Sequence, residues 1–389
     1  MRTAPLALLG ILLGLAALPA LAACDEKKSS DTARSDAGAA ADKYAMADPK
    51  LEKAIRAAAS ASAAATQGPP PDGIFPVGAA DQRHPKGVPT TYEILSEGSD
   101  PKVSLLPTSD APADVARAAG YGPALLEVAI EMGRSAMPTV DFQLLLGPSK
   151  DSAGWLVADV KRAEPSQQQA GQLPAGLDKE IESFEGAQLR VKVTADGRES
   201  DLVAQLGKDA NAELEPIAQA ATESLALATV PLPSKPLGVG AQWIAESRMP
   251  LHGADTVTYR AYRITGIEGD RVHLSLDVKA YAASREVQAS GIAVPKGSTL
   301  EQFATESQGK LDLVRGESVA RTCELQARLV LVFAGPGGMQ PPQQAGGQPG
   351  NIIPVQLTTQ ATFVRGDDLR AMAAGGGPRH GPANAAPRH

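Results

Sequence analysis

The chain has 389 residues, a net charge of −7 and 43% hydrophobic residues, with aromatics at 4%, which allows one large domain or two modest ones cored by Val, Leu, Ile and Ala. Mild acidity without a basic block argues against a nucleic-acid partner, because phosphate recognition draws on clustered Lys and Arg. With 2 Cys and 5 His, a disulfide framework and a thiolate zinc cage are excluded, and no metal or other cofactor is expected.

In chain order, the first feature is a stretch without charge from Ala4 to Ala23, preceded by Arg2 and built on Leu6, Leu8, Leu9, Ile11, Leu12, Leu13, Leu15 and Leu18. Pro19 breaks it before a small-residue end, the layout of a secretory signal peptide. Pro5, Gly10, Gly14 and Pro19 make it a poor membrane span. It closes on Leu21-Ala22-Ala23-Cys24, which resembles the lipobox of bacterial lipoproteins. The resemblance implies that Cys24 is lipidated and becomes the acylated N-terminus. Several acyl chains, at ~0.8 kcal/mol per buried methylene, would hold the protein to a membrane. The implied address is the cell envelope, on the far side of the membrane from synthesis. Asp25 follows; the sorting rule attached to that position differs between bacterial groups, so inner and outer membrane both stay open.

Residues 25–47 are small and polar and read as a flexible tether. Asp48-Pro49 starts a short helix to about Ala65, ended by Gly68-Pro69-Pro70-Pro71. Ile74-Phe75-Pro76-Val77 is the first segment expected to dock on the core. Leu125–Met132, Val140–Leu146 and Trp155–Val160 are runs of strand length. Leu177, Ile181 and Phe184 predict a helix closed by Gly186. Leu189, Val191 and Val193 alternate with polar residues, and Asp196-Gly197 turns the chain into an answering strand at Leu202, Ala204 and Leu206. A second helix is expected over about 216–228, with Ile217, Ala221, Leu225 and Ala228 as its apolar face.

The Pro-rich run from Val230 to Gly240 reads as an extended connector ending at Trp243. Beyond it, Val272, Leu274, Leu276, Val278 and Ala280 alternate with polar residues, and Glu268-Gly269-Asp270 turns back to a strand at 257–264. Val319 to Phe333 predicts a very long strand, bent or bulged, and Val355 to Phe363 the last one. The Gly/Pro/Gln loop from Gly335 to Gly350 cannot pack a core. Strict alternation implies antiparallel sheet, apolar on one face. The expected fold is α+β, with antiparallel sheet curved around one or two helices and two β-rich halves. By residue this gives a signal peptide over 1–23, lipidated Cys24 with tether and short helix over 24–72, an N-terminal half over 73–229, a C-terminal half over 230–370 and a disordered tail over 371–389. The stretch Val230-Pro231-Leu232-Pro233, then Val239-Gly240 and Trp243, is similar to a segment of an uncharacterised family of secreted bacterial β-rich proteins; that resemblance implies no activity. The predicted architecture also invites comparison with periplasmic lipoprotein carriers, whose curved sheet clasps a helix and holds acyl chains; this is an analogy of architecture, with no shared motif.

No catalytic motif is present: no Gly-x-Ser-x-Gly elbow, no phosphate loop and no His-Glu-x-x-His. Gly133-Arg134-Ser135-Ala136 lacks the second Gly, and Pro295-Lys296-Gly297-Ser298 has the wrong order. His84, His252, His273, His380 and His389 show no metal-ligand spacing on one element. The pairs Glu180/Glu182 and Asp367/Asp368 and the trio Asp209/Glu213/Glu215 suit charged faces better than acid–base work. Trp155 and Trp243 read as core or edge anchors, and Cys323 falls on an apolar face, where a buried inert thiol is expected. The function this leaves is a non-enzymatic envelope lipoprotein, held to the membrane by its N-terminal lipid, with a scaffold role or a binding role toward either a protein or an apolar ligand. The alternatives are a hydrolase whose site assembles only on folding, or a carrier of an acyl chain.

Overall fold

The alternating pattern is realised as one antiparallel sheet. The computed structural model describes residues 75–76, 89–106, 122–132, 135–166, 176–207, 210–211, 214–287, 297–335 and 352–373. The signal stretch, Cys24, the tether, the helix expected near 48–65, the loop from 336 to 350 and the end of the chain from 374 lie outside these residues. The described strands are β1 (Phe75–Pro76), β2 (Thr91–Ser96), β3 (Gly122–Met132), β4 (Ser135–Ala136), β5 (Val140–Pro148), β6 (Trp155–Pro165), β7 (Gln188–Val193), β8 (Glu199–Gln205), β9 (Gln242–Leu251), β10 (Ala254–Glu268), β11 (Arg271–Val287), β12 (Thr299–Val314), β13 (Thr322–Ala334) and β14 (Ile352–Arg365). The described helices are α1 (Leu177–Glu182), α2 (Glu215–Leu227) and α3 (Asp367–Ala373). The fold is therefore α+β and dominated by antiparallel sheet, as the sequence implied.

The strand order is β2-β9-β10-β11-β12-β13-β14-β3-β5-β6-β7-β8, with β1 on β12 and β4 on β3. The strands before and after the connector at 230–240 share this sheet, since β14 pairs with β3 and β2 with β9. β2 and β8 stand at opposite ends of the order. Yet Thr90, at the head of β2, donates its backbone N–H (3.0 Å) and its hydroxyl (2.8 Å) to the Glu199 carbonyl at the start of β8. The sheet thus curls until its ends nearly meet, in keeping with the coiling that strand twist produces. The concave side is the core. On β5, Val140, Phe142, Leu144 and Leu146 point inward and are buried, and β11 turns in Val272, Leu274, Leu276, Val278 and Ala280.

The local signals explain the elements. Gly197 closes the β7–β8 hairpin at φ 82°, and a Cβ there would meet the Val230 carbonyl oxygen at 2.0 Å, so both conformation and space demand glycine. Phe184, just past α1, packs on Phe142 with ring centroids 5.5 Å apart. The expected long strand begins at Thr322 rather than Val319; Val319 instead makes a bridge to Thr229. Its pairing with β14 runs without a shift, and the irregularity lies on β12, between Leu300 and Gln302. Phe75-Pro76 pairs with Phe303 and Gln302 on β12.

α2 lies within the curve of the sheet, as expected of a sheet curved around one or two helices, but it is buried beyond its apolar stripe: ten of its 13 residues are buried, Thr222, Glu223 and Ser224 among them. Its hydroxyls remain satisfied there by bonding back along the helix: Thr222 Oγ1 donates to the Ala218 carbonyl (2.8 Å) and Ser224 Oγ to that of Ala220 (2.7 Å). At the C-terminal end, fully buried Arg260 on β10 reaches the Thr229 carbonyl at 3.3 Å and the Ala226 carbonyl at 3.5 Å, and pairs with Glu199 on β8. Burial works against the Arg260 charge, but Glu199 more than offsets it and the guanidinium is held above its usual range. One side chain thereby ties the helix to strands near both ends of the sheet. The connector follows in extended form, with Val230, Leu232 and Leu237 buried. Trp243 donates its Nε1–H to the Pro231 carbonyl (3.0 Å) and stacks on Tyr262 at 5.1 Å. None of the described helices is long and apolar enough to cross a membrane.

Candidate functional site

Where α2 meets the floor of the sheet, packing is incomplete. A groove lies between one helix face, Ala220, Glu223, Ser224 and Leu227, and a floor spanning five strands: Thr258 on β10, Val278 on β11, Thr305 and Ser307 on β12, Leu325, Ala327 and Leu329 on β13, Thr359 and Ala361 on β14. Those helix positions are spaced i, i+3, i+4, i+7 and share one side. Five strands at ~4.8 Å spacing make the floor about 19 Å long. The cavity within the groove is about 40 Å³, and beyond it the groove opens to solvent.

Register explains the gap. Val278, Ser307, Ala327 and Thr359 are successive cross-strand partners on one face. Three of these four side chains are small, so the row leaves a trough that α2 bridges without filling. The next row runs Thr258, Ala280, Thr305, Leu329. The walls are chiefly apolar with hydroxyls set into the floor. Thr258 is fully buried, and its Oγ1 has no hydrogen-bond partner among the described residues.

At one rim stands a Glu–His pair, Glu223 and His252. His252 occupies the β9–β10 turn at φ 47°, followed by Gly253 at φ 80°, the double left-handed conformation of a tight hairpin. The His252 backbone N–H donates to Glu223 Oε1 at 2.7 Å, and its ring Nε2 lies 3.3 Å from Glu223 Oε2. Gln219 Nε2 donates to Oε1 at 3.0 Å. Burial pushes the Glu223 carboxyl up, and His252 opposes that shift. The pair pins the hairpin tip to the helix.

The other candidates sit elsewhere. His273 lies on the polar face of β11, with Nδ1 2.6 Å from Asp312 Oδ1, while Thr322 Oγ1 donates to Asp312 Oδ2 at 2.7 Å. The His273 and Asp312 side chains are partly exposed, away from the residues that line the groove. Glu180 accepts from Asn211 Nδ2 at 3.1 Å, and Asp368 pairs with Arg271 at 2.6 Å. Cys323 is 1% exposed, with burial pushing its thiol well above the ordinary range. Trp243 is a core anchor, whereas Trp155 is half-buried beneath Arg190, whose guanidinium carbon is 4.9 Å from its ring centroid. His84, His380, His389, Asp209, Glu213 and Cys24, expected from the sequence to be lipidated, lie outside the described residues. Among the described residues no group of three His, Cys, Asp or Glu is placed to hold a metal ion.

Two features were missed from sequence. Glu223 and His252 are 29 positions apart, and nothing in the linear chain joins them. The second is a row of carboxylates, Glu127, Asp141 and Glu164, directly opposite one another on β3, β5 and β6. Burial, reinforced by Glu127 and Glu164, pushes Asp141 up to about 6. No family model matches the chain, and no curated protein matches it.

Proposed function

We propose that the chain is an envelope lipoprotein, held to its membrane through Cys24, whose body binds a small, mostly apolar molecule in the groove between α2 and the sheet. The observation that carries this is the trough itself. It is a concave, largely apolar space crossing five strands, with a few polar groups set into it, the usual make-up of a small-molecule site. Its small side chains come from neighbouring positions on three strands, Ser307, Ala327 and Thr359, where larger apolar residues would have closed the core. The anchor rests on the Leu21-Ala22-Ala23-Cys24 motif at the end of a hydrophobic stretch.

The Glu223–His252 pair is the observation that favours a hydrolase, because a carboxylate and a His converge at the rim. Both carboxylate oxygens are nevertheless engaged by His252, which makes the pair a fastener for the hairpin more readily than a general base. The test is titration of the purified full-length protein with an apolar fluorophore such as N-phenylnaphthylamine. Binding that falls at least tenfold in Ala327→Leu and in Thr359→Leu, with folding intact, supports the groove as the site. Unchanged binding in both variants overturns it. Turnover of an ester or peptide substrate that is lost in Glu223→Gln would favour the hydrolase instead.

A further inference from the structure

Resting on the binding role proposed above, we infer that the occupant of the groove is an uncharged amphiphile that sets a hydrogen-bonding oxygen or nitrogen against Thr258, and that ionised carboxylates are excluded from the interior. Two independent observations lead there.

The first concerns charge. Glu223 and His252 are the ionisable side chains lining the groove, and they engage each other through two contacts, at 2.7 and 3.3 Å. Arg260, two residues along β10 from Thr258, pairs with Glu199, reaches the carbonyls of Ala226 and Thr229 and does not line the groove. A ligand carboxylate on the floor would lose its hydration and meet no cationic side chain among the described lining residues other than His252, which is engaged by Glu223. Burying an unpaired charge is far costlier than burying a neutral polar group. An amine would have to take Glu223 from His252.

The second concerns the hydroxyl. Thr258 is 0% exposed, lines the floor, and its Oγ1 lacks a partner among the described residues. Such orphaned buried groups are rare in folded proteins and call for a specific explanation. A hydroxyl can donate or accept, so an alcohol, ester or amide on the ligand would satisfy it. The neighbouring Thr305 side chain, one strand further from Ala280 in the same row, extends the polar strip. The floor therefore offers a neutral hydrogen-bonding point within otherwise apolar walls.

The experiment is a competition on the full-length protein loaded with N-phenylnaphthylamine. A long-chain n-alkanol and the n-alkanoate of equal length are compared as displacers above neutral pH, where the acid is ionised. The alkanol is expected to displace the probe at a concentration at least tenfold lower. Thr258→Val should weaken the alkanol by about 3- to 10-fold, the value of one hydrogen bond, when its displacement is normalised to the affinity of that variant for the probe. Thr258→Ser, which keeps the hydroxyl, should retain alkanol binding. Equal displacement by alkanol and alkanoate overturns the inference, as does a Thr258→Val variant that binds alkanol normally; in either case the groove still stands as a binding site. If the probe fails to bind at all, the groove reading falls and this inference with it.

Discussion

Changing Glu199 to Gln removes the counter-charge of Arg260 without removing bulk. Both side chains are essentially inaccessible, at 1% and 0% exposure. The guanidinium would then be left with the Ala226 and Thr229 carbonyls at 3.5 and 3.3 Å. Breaking a buried pair by deleting one partner costs about 3–5 kcal/mol. At roughly 2 °C per kcal/mol for a large domain, Tm should fall by about 6–10 °C. Glu199 Oε2 and Arg260 Nε have no partner even in the intact pair, so the pair is not fully compensated. An apolar replacement of both, Glu199→Leu with Arg260→Met, should therefore recover much of the loss. Calorimetry on the single and double variants decides it. A single-variant loss under about 1 kcal/mol, or a double variant no more stable than the single, would refute the view that this contact fastens α2 between the two ends of the sheet.

Further outcomes follow from particular side chains. Asp141 binds its proton more tightly folded than unfolded, so it favours the folded state at low pH, and stability should decline as pH rises from about 4 to about 6. Because the group is half exposed, the decline should be about 1 kcal/mol rather than the full value of the shift. Asp141→Asn should abolish it and raise Tm above pH 7. Cys323 should resist a thiol reagent until denaturant is added, and Cys323→Ser should cost about 1–3 kcal/mol in chemical denaturation by placing a hydroxyl in an apolar layer; rapid native labelling would contradict this. Mass spectrometry of the mature N-terminus should find lipid on Cys24, and Cys24→Ala should leave the protein uncleaved or released from the membrane. An unmodified N-terminus elsewhere would dismiss the anchor.

Much of the sheet was legible because alternation is a direct imprint of a half-buried strand. Residues 271–280 place every second side chain inward, as their pattern implies, and Asp196-Gly197 makes its hairpin. β12 was silent for a physical reason. Midway along it the inward positions Thr305, Ser307 and Gly309 carry no large apolar side chain, interrupting the run between Phe303 and Leu311, and the shift between Leu300 and Gln302 breaks the period. The residues that hid the strand also line or border the groove, so the site and the gap in the pattern have one cause. α2 misled differently. Ile217, Ala221 and Leu225 mark one apolar side, while Thr222, Glu223 and Ser224 suggest water on the other. Burial of that second side depends on back-bonded hydroxyls and on His252 arriving from a distant hairpin, neither of which leaves a local signature. The His-Gly pair at 252–253 was a usable turn signal, but its carboxylate partner could be known only from the fold. The curl that unites β2 and β8 likewise depends on contacts across more than a hundred residues, such as Thr90 with Glu199.

The most direct test of the central claim is what the protein carries when isolated from the cells that make it. The full-length protein and its Ala327→Leu, Thr359→Leu variant would be purified in parallel, extracted with organic solvent and compared by mass spectrometry. The groove account predicts a neutral amphiphile near one equivalent in the native protein and its loss from the variant, with thermal stability maintained. Extracts that are alike in the two proteins, whether empty or carrying the same molecule, would contradict it.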